Sequence, residues 1–128
     1  ANRVQGGKRP RSSMAPTVVL KEGKPFLITG SPGGSRIISY VARTILNVLE
    51  WGLDPQAAIN SGHIVNRNGV TELEEETDAI NLKEGLESLG HKVKIRNLNS
   101  GLHSILFAQD GTLIGAADPR REGLVMGE

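Results

Sequence analysis

The sequence predicts an α+β protein with mostly antiparallel sheets, and the order of its elements is the main reason. Two strands are followed by two helices, two strands, one helix and three strands, so strands come in groups around the helices. The segments "KEGK" (21–24) and "QDGT" (109–112) are tight-turn signals that join consecutive strands into hairpins. With 128 residues and 38% hydrophobic residues, the chain is expected to form a single unit, 1–128, with an aliphatic core.

The N-terminal half begins with the hairpin of Thr17–Lys21 and 24–29, followed by the glycine-rich turn "GSPGG". A helix is predicted from Ser35 to the stop at Gly52, because apolar residues recur at spacings of three and four. The positions predicted to face inward are Ile37, Ile38, Val41, Ile45, Leu46 and Leu49. Asp54 and Pro55 then form a capping pair for a second helix, which extends to about residue 60.

The C-terminal half reads as strands around one helix. Weak strand patterns cover Ile64–Asn66 and 70–75. A helix is predicted from Asp78 to the stop at Gly90, with its apolar residues inward: Ala79, Leu82, Leu86 and Leu89. Three more strands follow at 92–96, 103–108 and 112–116.

Charge is distributed unevenly along the chain. Residues 1–12 carry +4 and no acidic residue, which leaves −3 on the remainder. We therefore expect a basic loop at 1–12 and an α+β body at 13–128, and we expect no nucleic-acid partner, because the body would repel phosphate. The chain has no Cys, which excludes disulfides, thiolate metal sites and Cys nucleophiles. No apolar run reaches the length of a membrane span.

The segment "GSPGGSR" (30–36) is the first candidate for a binding site. Glycines between a strand and a helix let a ligand approach backbone N–H groups, and the helix N-terminus favours an anion. A phosphate and the oxyanion of acyl transfer both fit this description, as does a plain turn. The phosphate motifs G-x-x-x-x-G-K-[ST] and G-x-G-x-x-G are absent.

The segment "RSSM" (11–14) is the second candidate. Paired hydroxyls beside an arginine suit a carboxylate, although an ordinary polar loop has the same composition. Because the hairpin reverses the chain, we expect the end of its second strand to lie near the start of the first. The serines and the glycine turn would then share one pocket.

Other polar residues are interpreted structurally. His63, His91 and His103 lack metal-ligand spacing, so we expect no metal site and assign them exposed or capping roles. The run "ELEEE" (72–76) is interpreted as a solvated face or a strand edge. Asp118 and Arg120 are expected to form a structural ion pair or to lock a loop, and Trp51 is expected to pack in the core. Arg36 is left unassigned.

One long stretch resembles a known family. "KRPRSSMAPTVVLKEGKPFLITGSPGGSRI" is similar to the C-terminal part of the small subunit of gamma-glutamyltranspeptidases, and "GAADPRREG" resembles the D-P-R ending of the same subunit. The resemblance extends over essentially the whole chain. It implies part of the four-layer α-β-β-α sandwich of N-terminal-nucleophile hydrolases.

The resemblance also implies an activity and its residues. Such enzymes cleave the γ-glutamyl amide of glutathione and related compounds and pass the acyl group to water or to an amino acid or peptide. Ser12 and Ser13 match the serines that bind the α-carboxylate of the glutamyl group. Gly33 and Gly34 match the glycines whose backbone N–H groups bind the oxyanion. The nucleophile is an N-terminal Thr created by self-cleavage; Thr17 is internal and does not replace it.

The implied partners are the large subunit, the missing N-terminal part of the small subunit, and glutathione or another γ-glutamyl compound; no cofactor is implied. We expect the isolated chain to be inactive and to self-associate through exposed sheet edges. The implied location is periplasmic or secreted. The alternative is a non-catalytic remnant or interaction module that binds another subunit or a small acidic ligand.

Overall fold

The computed structural model describes residues 2–127. The strands are β1 (Thr17–Lys21), β2 (Lys24–Gly30), β3 (Ile64–Asn66), β4 (Thr71–Glu74), β5 (Val93–Arg96), β6 (His103–Phe107) and β7 (Leu113–Ala117). The α-helices are α1 (Ile37–Leu49), α2 (Pro55–Asn60) and α3 (Lys83–Ser88), and short 3₁₀ turns at Gly34–Arg36 and Asp78–Leu82 precede α1 and α3. The predicted order of elements is confirmed.

The strands form two sheets. The larger sheet has the order β1-β2-β6-β7, and every neighbouring pair in it is antiparallel. The smaller sheet has the order β3-β4-β5, with β3 antiparallel and β5 parallel to β4. Both predicted hairpins are present, while the β2–β6 pairing joins strands far apart in sequence. The prediction of an α+β fold with mostly antiparallel sheets is therefore confirmed.

Helix α1 contacts β2 of the larger sheet and β3 of the smaller one, and it supplies much of the core. Its buried face carries residues at helical spacing, namely Ile37, Tyr40, Val41, Thr44, Asn47 and Val48. Two of these are polar and find backbone acceptors: Thr44 donates to Tyr40 O at 3.0 Å, and Asn47 donates to Ala58 O at 3.1 Å. These bonds remove most of the cost of burying polar atoms.

The predicted inward face of α1 was partly wrong. Ile38, Leu46 and Leu49 are exposed, by 59, 47 and 41%. Apolar spacing misses two polar positions of the buried face: Thr44, which donates to a carbonyl of α1 itself, and Asn47, which donates to a carbonyl of α2. Trp51 was also predicted to be in the core and is 62% exposed, because the chain turns away at Gly52, where φ is 65°.

The third helix is shorter and less buried than predicted. Residues 78–82 form a 3₁₀ turn, and only Lys83–Ser88 is α-helical, with Gly85 inside it. Ala79 is buried as predicted and Leu86 is half-buried, but Leu82 and Leu89 are 47 and 78% exposed. Two helical turns are too short to bring all four side chains onto the small sheet.

The segment before β1 contains no helix or strand over residues 2–16. Asn2 is tied to Arg11 by a pair of hydrogen bonds, because Arg11 N donates to Asn2 Oδ1 at 2.7 Å and Asn2 Nδ2 donates to Arg11 O at 3.0 Å. The division into a basic loop at 1–12 and a body at 13–128 stays a prediction.

Candidate active site

The glycine turn joins the end of β2 to the start of α1. Gly33 has φ 141° and Gly34 has φ 59°, so both lie in the region that side chains avoid. A Cβ built on Gly33 would lie 2.7 Å from Tyr40 Cε2, whereas one on Gly34 would meet nothing within 4 Å. Gly33 is half-buried against this ring and Gly34 is exposed, which leaves the turn open to a ligand on one side.

The first half of this turn packs on the segment between β5 and β6. Gly101 N donates to Ser31 Oγ at 3.2 Å. A Cβ built on Gly101 would lie 2.7 Å from Pro32 Cγ and 3.0 Å from Arg121 Cδ, so close packing excludes a larger residue there. The turn is therefore held by parts of the chain about seventy residues later.

The paired serines precede β1. Ser12 is exposed and its Oγ accepts from Met14 N at 3.2 Å, while Ser13 is half-buried. Thr17 pairs with Thr29, so the serine segment and the glycine turn leave the same end of the hairpin, as predicted. Within residues 2–127 no hydrogen bond joins either serine to Gly33 or Gly34. The shared pocket stays a prediction.

A cluster of charges lies beside the second half of the turn. Glu72 accepts two hydrogen bonds from Arg36, at 2.6 and 2.9 Å, and one from Arg96 at 2.9 Å. Arg67 Nη2 lies 3.6 Å from Glu72 Oε1, and Arg67 Nη1 donates to Ser35 Oγ at 2.6 Å. Three guanidinium groups thus surround one carboxylate.

Glu72 is 5% exposed and Glu74 is 6% exposed, and both lie in β4, the central strand of its sheet. The interpretation of "ELEEE" as a solvated face or a strand edge was therefore wrong for these two residues. The hydrogen bond from Arg36 is the main reason that the pKa of Glu72 falls to about 2. One feature of the sequence could have indicated this burial. Side chains alternate between the two faces of a strand, so Glu72 and Glu74 lie on the same face of β4. The arginines that donate hydrogen bonds to them are distant in the sequence.

The second carboxylate, Glu74, anchors the C-terminal segment. Arg120 donates to Glu74 Oε2 at 2.8 Å, to Ile59 O at 2.8 Å and to Asp118 Oδ1 at 3.2 Å. Desolvation opposes the charge of Arg120, but its hydrogen bond to Glu74 and the negative charges of Glu74 and Asp118 raise its pKa. Asp118 is 1% exposed. The predicted ion pair between Asp118 and Arg120 is confirmed.

His63 lies in the same buried network and was predicted wrongly to be exposed or capping, because it is only 2% exposed. Ser100 Oγ donates its hydrogen to Asp118 Oδ2 and lies 2.6 Å from His63 Nε2. Since that hydroxyl has one hydrogen, His63 is the donor through Nε2. Its Nδ1 is buried, and no group among residues 2–127 forms a hydrogen bond with it. Burial, followed by the charge of Arg120, lowers the pKa of His63 to about 4.

Among residues 2–127, no group of three or more His, Asp or Glu side chains is arranged to hold a metal ion. In the same part of the chain, every helix is too short or too polar to cross a bilayer.

Comparison with known proteins relates the chain to one protein family. A sequence model of the family described as gamma-glutamyltranspeptidase matches residues 1–128. The glutathione hydrolase proenzyme of Escherichia coli is 42% identical over 124 residues, which cover 94% of this chain and 21% of that protein. The acylase ACY 1 proenzyme of a Pseudomonas species is 36% identical and is covered to 22%. The chain thus spans about a fifth of the length of these relatives.

Solved structures agree with the sequence match. A mutant of the Helicobacter pylori gamma-glutamyltranspeptidase superposes with a TM-score of 0.84 at 31% identity, covering 92% of this chain and 66% of that one. This likeness confirms the predicted fold class, part of the fold of that enzyme family. Because the family match extends over the whole sequence, the chain belongs to the gamma-glutamyltranspeptidase family.

Proposed function

We propose that this chain is the C-terminal part of the small subunit of an enzyme that cleaves the γ-glutamyl amide of glutathione or a related compound. The enzyme transfers the acyl group to water or to an amino acid or peptide acceptor. The observation that carries the proposal is the geometry of the glycine turn. Gly33 and Gly34 have positive φ angles at the start of the 3₁₀ turn into α1, where no side chain of residues 2–127 caps the backbone.

In this mechanism the nucleophilic Thr comes from a part of the enzyme outside these 128 residues. Its hydroxyl attacks the γ-carbonyl carbon, and the carbonyl oxygen becomes an oxyanion that accepts hydrogen bonds from the N–H groups of Gly33 and Gly34. The amine leaves with a proton and an acyl-enzyme remains. Water or the acceptor amine then attacks the ester, and the same N–H groups stabilise the second oxyanion. Its collapse breaks the ester bond, releases the product and returns to the Thr oxygen the proton that the water or amine loses.

Ser12 and Ser13 bind the α-carboxylate of the glutamyl group through their hydroxyls. Support comes from their position, because both precede β1 at the end of the hairpin from which the glycine turn also emerges. A carboxylate held there would fix the donor at its far end, and the γ-carbonyl would be presented to the turn. Binding at a distance from the reacting bond lowers KM and orients the substrate.

The partner of this chain is the rest of the enzyme, which includes a large subunit and the first part of the small subunit. The outer face of the larger sheet supports this proposal. Val18, Ile28 and Ile105 lie side by side across β1, β2 and β6 and are 56, 37 and 41% exposed. An aligned apolar row of this kind is typical of a surface that another layer covers.

The test uses the complete enzyme with a γ-glutamyl anilide that releases a coloured amine. Replacing Ser12 or Ser13 with Ala is expected to raise KM about 10-fold, because each change removes a hydrogen bond to a charged group. Gly33→Ala is expected to lower kcat by about 10-fold or more, because it displaces an oxyanion donor. Ser88→Ala, on the exposed side of α3, is the control and should change neither constant.

Two results would contradict the proposal. One is that the complete enzyme fails to hydrolyse any γ-glutamyl donor, and the other is that the 128-residue chain alone sustains hydrolysis. In the first case, binding of glutamate by the chain would favour the alternative of a non-catalytic module for small acidic ligands. We further propose a periplasmic or secreted location; cell fractionation that finds the protein in the cytoplasm would contradict it.

A further inference from the structure

The second half of the glycine turn is held by the smaller sheet. Ser35 Oγ accepts from Arg67 Nη1 at 2.6 Å, and Arg67 follows directly after β3. The next residue, Arg36, forms a two-bond ion pair with Glu72 of β4, at 2.6 and 2.9 Å. Both residues that follow Gly34 are thus bonded to side chains of the β3–β4 hairpin.

The turn needs such external support. Glycine has more conformational freedom than any other residue, and in the described part of the chain no side chain caps the start of this 3₁₀ turn. An oxyanion hole works only when its N–H groups are held in place before the charge develops. The peptide planes of Gly33 and Gly34 are therefore fixed by what holds the residues on either side of them.

Glu72 is the centre of this support. Its carboxylate is buried, and it binds Arg36 and Arg96 while lying 3.6 Å from Arg67. The side chain of Arg67 is 44% exposed, so its orientation toward Ser35 depends on the charge behind it. Three guanidiniums against one carboxylate leave an excess of positive charge beside the turn.

We propose that Glu72 and Arg67 are positioning residues for the reaction: they hold Ser35 and Arg36, and through them the N–H groups of Gly33 and Gly34. This inference rests on the proposed role of the two glycines as oxyanion donors. Neither Glu72 nor Arg67 touches the substrate. Their loss lowers the rate of the chemical step and leaves donor binding at Ser12 and Ser13 unchanged.

A positioning role of Glu72 and a purely electrostatic effect of the arginines predict opposite changes in kcat when Glu72 is replaced. Replacing Glu72 with Gln leaves the arginines and makes the surroundings of the turn more positive. If the arginines acted only through their field, an oxyanion would be stabilised better and kcat would rise. If Glu72 positions the turn, kcat falls, by about 10-fold as for other losses of oxyanion geometry, and KM for the donor stays within about 2-fold.

A second set of variants avoids burying an unpaired charge. Ser35→Ala and Arg67→Met each remove the hydrogen bond between these residues, while Glu72 keeps Arg36 and Arg96. Each is expected to lower kcat about 3- to 5-fold, the effect of losing one exposed charge-assisted bond. Since both remove the same bond, the double variant should fall no further than the single ones.

The experiment measures kcat, KM and the melting temperature of the complete enzyme and of these variants, with a γ-glutamyl anilide as donor. Glu75→Gln is the matched control, because it removes an exposed carboxylate from the same acidic run. A fall in kcat at constant KM for Glu72→Gln, and non-additive losses at Ser35 and Arg67, support the inference.

Two results overturn the inference and leave the proposed function intact. One is a wild-type kcat in both Ser35→Ala and Arg67→Met, and the other is a rise in kcat in Glu72→Gln. If Glu72→Gln proves unstable, the Ser35 and Arg67 cycle decides the question alone. An inactive parent enzyme overturns the proposed function, and the inference falls with it.

Discussion

The ring of Tyr40 stacks on the imidazole of His63, with the centroids 4.2 Å apart and the planes inclined by 34°. Tyr40 also fills the space that a side chain on Gly33 would need. His63 in turn contacts Ser100, which bonds to Asp118. A continuous set of contacts therefore leads from the glycine turn to the C-terminal D-P-R segment.

The two glycines of the turn are expected to tolerate substitution differently. Gly34→Ala should destabilise the protein by about 1 kcal/mol, because only the positive φ is strained. Gly33→Ala should cost about 3 kcal/mol, since the new methyl group also collides with Tyr40. Urea unfolding of both variants measures the difference. Equal losses would contradict the tight packing of Gly33 on this ring.

Stability is expected to depend on pH through His63. Its pKa is about 4 in the folded protein and about 6.5 when unfolded, so between these values the unfolded chain binds the extra proton. Unfolding free energy should therefore fall as the pH is lowered from 6.5 toward 4, by up to roughly 1.4 kcal/mol per pH unit. The charged groups around His63 are Arg120, Glu74, Asp118 and Arg43.

The region from pH 6.5 to 4.5 isolates this effect, because the lowered pKa of Glu72 places the loss of its contribution below 4.5. His63→Gln retains a donor toward Ser100 but does not titrate, and it should flatten the slope in denaturant unfolding. His91→Gln, at an exposed histidine, is the control and should keep the slope. A slope that survives in His63→Gln would show that another group is responsible.

Arg120 is expected to be one of the most sensitive positions for stability. Arg120→Met leaves the buried carboxylates of Glu74 and Asp118 without their cation, which costs about 3–5 kcal/mol. The neighbouring Arg121→Met is the control. Arg121 bonds to Asn99 and Ser100 from an exposed position, so its loss should cost about 1 kcal/mol. Similar melting temperatures for the two variants would contradict the assignment.

The apolar row on the larger sheet is expected to control assembly. Ile105→Lys places a charge at the β6 end of the row, beside Ile28 of β2, and should weaken association with the rest of the enzyme. In the 128-residue chain alone, the same change should reduce self-association in sedimentation experiments. Lys94→Met, on the other sheet, is the control and should leave assembly unchanged. Normal assembly of Ile105→Lys would mean that this face stays open.

Local patterns predicted the elements well. The hairpins depend on turn residues within four positions, and the limits of α2 depend on Asp54 and Pro55, whose contacts are local. The inward face of α1 was less predictable. Thr44 and Asn47 look like surface residues until their backbone acceptors are known, so an apolar pattern assigns them to the wrong side.

The sequence by itself determined the family, the order of strands and helices, and the two motifs of the proposed site, because each depends on neighbouring residues and fixed spacings. Only the tertiary structure decided that Glu72, Glu74 and His63 are buried. Their burial is stable because partners from positions 36, 96, 100 and 120 converge on them. A charged or polar side chain enters a core only when such partners meet it, and their meeting is a property of the folded chain.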